Sequence, residues 1–399
     1  MPRFAMPMLK LASAFAVLAV PAGSATARPL LLISIDGLRP GDVLEAQKRG
    51  LKLPNLRRFV TEGIYADGVE GVLPTLTYPS HTTIMTGVSP AKHGVLSNTS
   101  FDPTNINQQG WYWYASDVKA PNLWDAVHAA GKSTGNVHWP VSVGEASIDY
   151  NLPQIWRTGH ADDAKLLAAL ATPGLLQKME QKLGPYAQGI DESIDGDENR
   201  AGFAAEMIAD KKPYFMTVYF AALDHEEHVK SPGSAEANAV LERIDALVGK
   251  LVAAEQAALP DADIALVSDH GFAATDTEIN LYSAFLKAGL VRMDASGKVT
   301  GWDASLWNSG GSMAVVLAQP DDKALHDKVA ELLAGLKADP DARIAEIIEK
   351  PQIAAMGGNP QADFYINFRL GAMARAAGPQ APTGVQTITR SAEIGRAHV

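Results

Sequence analysis

The stretch LLLISID at residues 30–36 decides the fold class. It is a short apolar run, broken by a single serine, that ends on an aspartate. Two later stretches share the design, YFMTVYFAALDHEEH at residues 214–228 and IALVSDHG at residues 264–271. Continuous runs of Leu, Ile, Val and aromatics read as strands buried on both faces, the condition of a parallel sheet covered by helices. A carboxylate inside such a sheet would lose its hydration, so Asp36, Asp224 and Asp269 are expected where their strands leave the interior. In open α/β sheets, ligands bind just beyond that carboxyl edge.

Two of these aspartates have a histidine close behind: His228 follows Asp224 by four residues and His270 adjoins Asp269. Any one Asp reads equally well as a turn residue or a helix cap. Three carboxylates at one edge repel one another unless a cation sits among them. Imidazole nitrogen with carboxylate oxygen suits a borderline-soft divalent ion such as zinc. Between the first two runs lies PTLTYPSHTTIMTG, residues 74–87, whose Pro79 fits the first turn of a helix over 78–86. Thr77 would then stand at a helix N-terminus, where amides and dipole favour an anion such as a phosphoryl group. A divalent cation would make its weakly nucleophilic hydroxyl reactive at neutral pH. The competing role for Thr77 is a plain N-cap.

Five segments in order carry a resemblance: SIDGLRPG around Asp36, PTLTYPSHTTIMTGVSPAKHGVLSN around Thr77 and Asn98, HWP at residues 138–140, YFAALDHEEHVKSP around Asp224 and His228, and SDHG around Asp269 and His270. Together they resemble the type I phosphodiesterase/nucleotide pyrophosphatase family of the alkaline phosphatase superfamily. The resemblance implies an α/β fold, an alkaline-phosphatase-like sandwich with a mostly parallel central sheet, helices on both faces and a small inserted cap. It implies two zinc ions, one held by Asp36, Thr77, Asp269 and His270, the other by Asp224, His228 and a third histidine. Asn98 matches a residue that donates to a phosphoryl oxygen, although it also reads as a turn residue. Tyr78 and Tyr219 match aromatics that sandwich a nucleobase, yet a tyrosine in an apolar strand reads equally as core. The cluster Trp111, Tyr112, Trp113 and Tyr114 fits either a pocket wall or a buried aromatic patch.

The implied chemistry is hydrolysis of phosphodiester or pyrophosphate bonds in a small-molecule or nucleotide substrate, through a phosphothreonine on Thr77. The alternatives are a phosphomonoesterase or phosphonate hydrolase on the same scaffold, or a catalytically incomplete metal-binding protein. The last arises because the Gly-x-His-Gly segment expected to bring the third zinc histidine does not follow Arg390. The chain is therefore expected to be truncated at its C-terminus, with EIGRAHV, residues 393–399, a non-native tail. Ala222-Leu223 replaces an acidic-Pro pair of the family, and Glu227 replaces a glycine.

At the other end, Arg3 and Lys10 precede an apolar stretch at residues 11–20, followed by Pro21, small residues and Ala25-Thr26-Ala27. That is the layout of a secretory signal peptide over residues 1–27, too short for a stable membrane anchor. It predicts an exported, periplasmic or extracellular protein whose domain spans residues 28–392. The chain has no cysteine and a net charge of −11. A domain of this length can rely on a large core instead of disulfides. The acidic balance argues against binding of nucleic-acid duplexes, which requires a basic face.

Val240, Ile244, Leu247 and Leu251 repeat at helical spacing and predict a crossover helix between the second and third Asp-ended strands. Residues 198–211 read as the helix before the second strand. DESIDGDEN, residues 191–199, has an oxygen-rich spacing but no bidentate Glu at the twelfth position, so a helix N-terminus is expected there rather than a calcium loop. The mixed stretch at 275–351 is expected to hold the cap or a smaller lobe.

Overall fold

A computed structural model describes residues 27–107, 110–157, 159–187, 191–374 and 386–389. The expected signal peptide, apart from Ala27, and the expected non-native tail lie outside the described residues. The central sheet is five-stranded, in the order β3-β2-β4-β1-β5. Its strands are β1 (Leu30–Ile35), β2 (Thr134–Val137), β3 (Tyr150–Leu152), β4 (Phe215–Phe220) and β5 (Asp263–Val267). Every pairing in it is parallel. The register sets Leu31 beside Met216, Ile33 beside Val218 and Ile35 beside Phe220, and these six side chains share one core. The intervening positions, Leu32, Phe215 and Tyr219, join a second core with Met85, Trp124 and Trp139 on the opposite face. β1 and β4 are buried on both faces as their composition demands, whereas β5 is only half-buried because it forms the sheet edge.

The helices used below are α1 (Thr77–Thr86), α2 (Ile194–Lys211), α3 (Ala222–Lys230), α4 (Ala235–Ala258) and α5 (Lys323–Ala338). α4 is the crossover from β4 to β5, and it buries Val240, Ile244, Leu247 and Leu251 as the spacing requires. Ser234 caps it by accepting from the Ala237 amide. α2 starts four residues earlier than expected, at Ile194, because Ser193 caps it and Asp195 and Asp197 complement the dipole in its first turn. The oxygen-rich segment is thus a helix start. Among the described residues, no helix is long and apolar enough to cross a membrane.

A second sheet is four-stranded and antiparallel, built from β6 (Ala304–Ser309), β7 (Ser312–Leu317), β8 (Ile344–Glu349) and β9 (Phe364–Phe368). Its own core includes Val329 and Leu333 of α5. Its strands reach Phe368, beyond the 275–351 span read from the sequence. The other face of this sheet meets the first lobe through Trp307 and Tyr365 packed with Leu73 and Leu96.

Glu255, on the buried stripe of α4 one turn after Leu251, is wholly buried and no hydrogen bond reaches either carboxylate oxygen. Burial pushes its carboxyl up to about 7. Its folded value lies above its unfolded one, so the stability it allows is present at low pH and is lost as pH rises towards about 7. Glu255→Gln should therefore stabilise the protein at pH 8 by on the order of 1 kcal/mol, with the gain vanishing near pH 4.5. Thermal melts of the two proteins across that range check the sign.

Candidate metal and phosphoryl-transfer site

Gly37 shows how tightly the carboxyl edge of the sheet is built. Its φ is +73°, and a Cβ there would stand 3.0 Å from the Phe272 ring and 3.4 Å from the Asp224 Cα. Only glycine both adopts that conformation and admits the two neighbours. The chain can therefore turn directly after Asp36, and the Gly37 amide donates to Oδ1 of Asp269 at 3.3 Å.

The expected ligands converge here. Asp36, Asp269 and His270 offer ligand atoms that all lie within 4.8 Å of one another. Nε2 of His270 is 3.3 Å from Asp36 Oδ1, 3.3 Å from Asp269 Oδ2 and 4.0 Å from Asp224 Oδ1. Thr77 Oγ1 lies 3.4 Å from the same nitrogen. His228 Nε2 is 3.3 Å from Asp224 Oδ2.

One expectation needs correction. The apolar run at 214–224 is not a strand ending on Asp224: β4 stops at Phe220, and Asp224 is the third residue of α3. The spacing of four to His228 puts both side chains on one face of that helix. This pair owes its position to a helix, the Asp36–Asp269–His270 group to strand ends.

The donor set fits divalent cations. No hydrogen bond reaches the buried Asp36 Oδ1 or Asp269 Oδ2. Burial first, then the charges of Asp224 and Asp269, push the Asp36 carboxyl well above the usual carboxylate range. Such crowding is relieved by a cation among the carboxylates. The Nδ1 of His270 faces its neighbour's carbonyl, Gly271 O, at 3.3 Å, which leaves Nε2 as the lone-pair atom towards the cluster. Ligating histidines typically donate their other nitrogen to a carbonyl or carboxylate in this way.

The surrounding side chains hold the cluster in shape. The hydroxyl of Tyr219 donates to Asp36 Oδ2. His81, one turn into α1, donates from Nδ1 to the Thr77 carbonyl at 2.8 Å, and its Nε2 is 2.9 Å from Ser34 Oγ. Burial holds its pKa below the usual imidazole value, so the ring is neutral and Nε2 accepts from Ser34. His138 stacks on Tyr219 from the far side, with centroids 5.6 Å apart.

Thr77 is the first residue of α1, following Leu76 as N-cap. The helix start offers fewer donors than expected, since Pro79 has no N–H and the Tyr78 amide is taken by Asn98 Oδ1 at 2.9 Å. Asn98 is thus anchored beside Thr77 through its side-chain oxygen. Neither Tyr78 nor Tyr219 offers a face to a base, because both rings are wholly buried. Tyr78 packs on Trp111 at 5.5 Å, and Trp111 stacks on half-buried Trp156 at 4.8 Å. Sequence reasoning missed Trp156 and the Asp36 bond of Tyr219. Strand alternation carried the second signal, since Tyr219 pairs in register with Ser34 on the face covered by α1.

The chain is similar to several known proteins. The family profile described as type I phosphodiesterase / nucleotide pyrophosphatase matches residues 30–356. Human ectonucleotide pyrophosphatase/phosphodiesterase family member 1 is 27% identical over 261 residues, 63% of this chain and 24% of the relative. Human bis(5'-adenosyl)-triphosphatase ENPP4 is 26% identical over 260 residues, 64% of this chain and 50% of its own length. The chain thus spans between a quarter and a half of the curated relatives it matches. Among solved structures, phosphonoacetate hydrolase of Sinorhizobium meliloti with phosphonoacetate bound superposes with a TM-score of 0.65 at 17% identity, covering 93% of this chain and 86% of that one. An inactive variant of murine ectonucleotide pyrophosphatase/phosphodiesterase 5 in complex with AMP gives 0.60 at 18% identity, covering 93% and 87%. With the profile matched over most of its length, the chain belongs to the type I phosphodiesterase / nucleotide pyrophosphatase family.

Proposed function

We propose that this chain hydrolyses phosphodiester or pyrophosphate bonds of small molecules, nucleotides among them, with Thr77 as nucleophile. The observation that carries the reading is the Thr77 hydroxyl at 3.4 Å from His270 Nε2, among three buried carboxylates. Asp36, Thr77, Asp269 and His270 would hold one cation, and Asp224 with His228 a second, both zinc by donor type. Bound there, such ions lower the pKa of a hydroxyl or water and neutralise phosphoryl charge. The chain's own groups do the rest. The Thr77 hydroxyl loses its proton as its oxygen bonds to phosphorus and the bond to the leaving oxygen breaks. The leaving alcohol or phosphate departs with a proton taken up in its place, and the remaining phosphoryl group is held on Thr77 as a phosphothreonine ester. Water then cleaves that ester, its oxygen going to phosphorus and one of its protons to the Thr77 oxygen. Asn98 donates to a phosphoryl oxygen, and the α1 dipole favours the anionic group. Trp111 and Trp156, next to Tyr78, are the aromatic surface on which a base would rest.

The murine neighbour's AMP and the name of the triphosphatase relative support a nucleotide substrate. Export is inferred from residues 1–27, and the relatives named as ectonucleotide enzymes support it. A p-nitrophenyl nucleotide ester should be cleaved at least about tenfold faster than p-nitrophenyl phosphate. Equal or reversed rates would favour a monoesterase. The superposition on phosphonoacetate hydrolase favours a second reading, a phosphonate hydrolase, which release of phosphate from phosphonoacetate would reveal. Two tightly bound zinc ions with no hydrolysis of any of these esters would leave a binding protein.

Tyr219→Phe removes only the donor to Asp36. Loss of such a supporting hydrogen bond should weaken zinc binding about 10-fold to 100-fold without unfolding the protein. A competition titration against a chromophoric chelator measures it.

A further inference from the structure

α3, which carries Asp224 and His228, begins with no cap of its own. Ala221 stands at its N-cap and has no side-chain oxygen, and Ala222 and Leu223 follow. Unpaired first-turn amides in a buried position are costly, and here they are answered from another helix. The carboxylate of Asp197, in the first turn of α2, accepts from the Ala222 amide at 2.8 Å and the Ala221 amide at 3.3 Å. Arg200, one turn along α2, donates from Nη1 to Asp197 Oδ1 at 2.9 Å. Both members of this pair have no solvent exposure at all. The Ala222 amide lies two residues before Asp224 and six before His228.

We propose that Asp197, held by Arg200, is a positioning residue for the Asp224–His228 pair, its carboxylate capping the helix that presents them. The inference rests on the reading that this pair holds a cation. The cap fixes the rotation and axial position of α3, and both ligands ride on one face of that helix. Asp36 and Asp269, by contrast, follow β1 and β5, so the backbone that carries them is placed by the central sheet and not by the α3 cap. A core ion pair that merely stabilises would affect the two cation sites alike, whereas a cap on α3 affects only one.

Zinc binding tests this asymmetry in the full chain. Asp197→Ala combined with Arg200→Met removes the cap without leaving a buried charge unpaired. Asp197→Asn with the same Arg200→Met restores a neutral acceptor of the same shape. In competition titrations against a chromophoric chelator, the wild type should take two equivalents of zinc. The alanine double variant should keep the first within about twofold and bind the second at least tenfold more weakly, and the asparagine variant should recover most of that loss. Far-UV circular dichroism establishes that each is folded. Wild-type affinity for both equivalents in the alanine variant overturns the positioning role, as does equal weakening of both. Failure of both double variants to fold also overturns it and assigns the pair to the core. A wild type that takes only one equivalent refutes the reading of the second site itself, an outcome distinct from the others.

Discussion

Thr77→Ala should lower kcat on a p-nitrophenyl nucleotide ester by about 10⁴-fold or more while changing KM little. That corresponds to about 5.4 kcal/mol of lost transition-state stabilisation. The effect should be large because the attacking oxygen is lost and Ser34, whose hydroxyl is turned to His81 at 2.9 Å, is already committed. The alanine protein should still bind zinc, since Asp36, Asp269 and His270 remain within ligand distance of one another. Thr77→Ser keeps the attacking oxygen and should keep part of the activity. With substrate radiolabelled at phosphorus, acid quenching should trap label on the wild-type protein and none on Thr77→Ala. Alanine activity within tenfold of wild type would discard the covalent route and leave direct attack by water.

The outline of this site was legible because its chemistry sits where the chain pattern changes. LLLISID and IALVSDHG are short enough and apolar enough to be strands, so the place of Asp36 and Asp269 at the sheet edge followed from desolvation alone. The run at 214–224 misled because Ala221, Ala222 and Leu223 continue the apolar composition of β4 after the backbone has turned helical. Composition does not distinguish a buried strand from the buried first turn of a helix. The Asp224 to His228 spacing of four, available from the start, favoured the helix.

The tyrosines illustrate a different limit. Their residue type suits both a base platform and a buried hydrogen-bond donor, and only burial separates the two. Tyr219 faces the cluster because it alternates with Val218 and Phe220, whose side chains lie in the opposite core. Asp197 and Arg200 were hidden for a related reason. Their spacing of three reads as an ordinary surface pair on a helix, and nothing local says that β4 and α3 cover them. β9 was not legible as part of the second sheet because it lies after a helix and a loop, and an antiparallel partner distant in sequence leaves no periodic trace at its own position.

Zinc should change the thermal stability of this protein more at high pH than at low pH. Without a cation, the Asp36 carboxyl is held well above the usual carboxylate range, chiefly by burial and then by the charges of Asp224 and Asp269. A carboxyl whose folded value lies above its unfolded one makes the folded state bind the extra proton. Stability is then greatest below the unfolded value and falls as pH rises through the window up to the raised one. Zinc reverses the trend, because it needs the carboxylates deprotonated and so binds more tightly as pH rises. At a free concentration 1,000 times Kd it would add about 4 kcal/mol, or roughly 5–10 °C in Tm. The gap in Tm between zinc-loaded and chelated protein should therefore widen between about pH 5 and pH 8. Asp36→Asn removes the charge that is costly without metal and useful with it. It should raise the Tm of the chelated protein at pH 8 and abolish most of the zinc-dependent gain. A gap that stays constant with pH, or an Asp36→Asn protein that still responds fully to zinc, would mean that this carboxylate cluster is not where the cation binds.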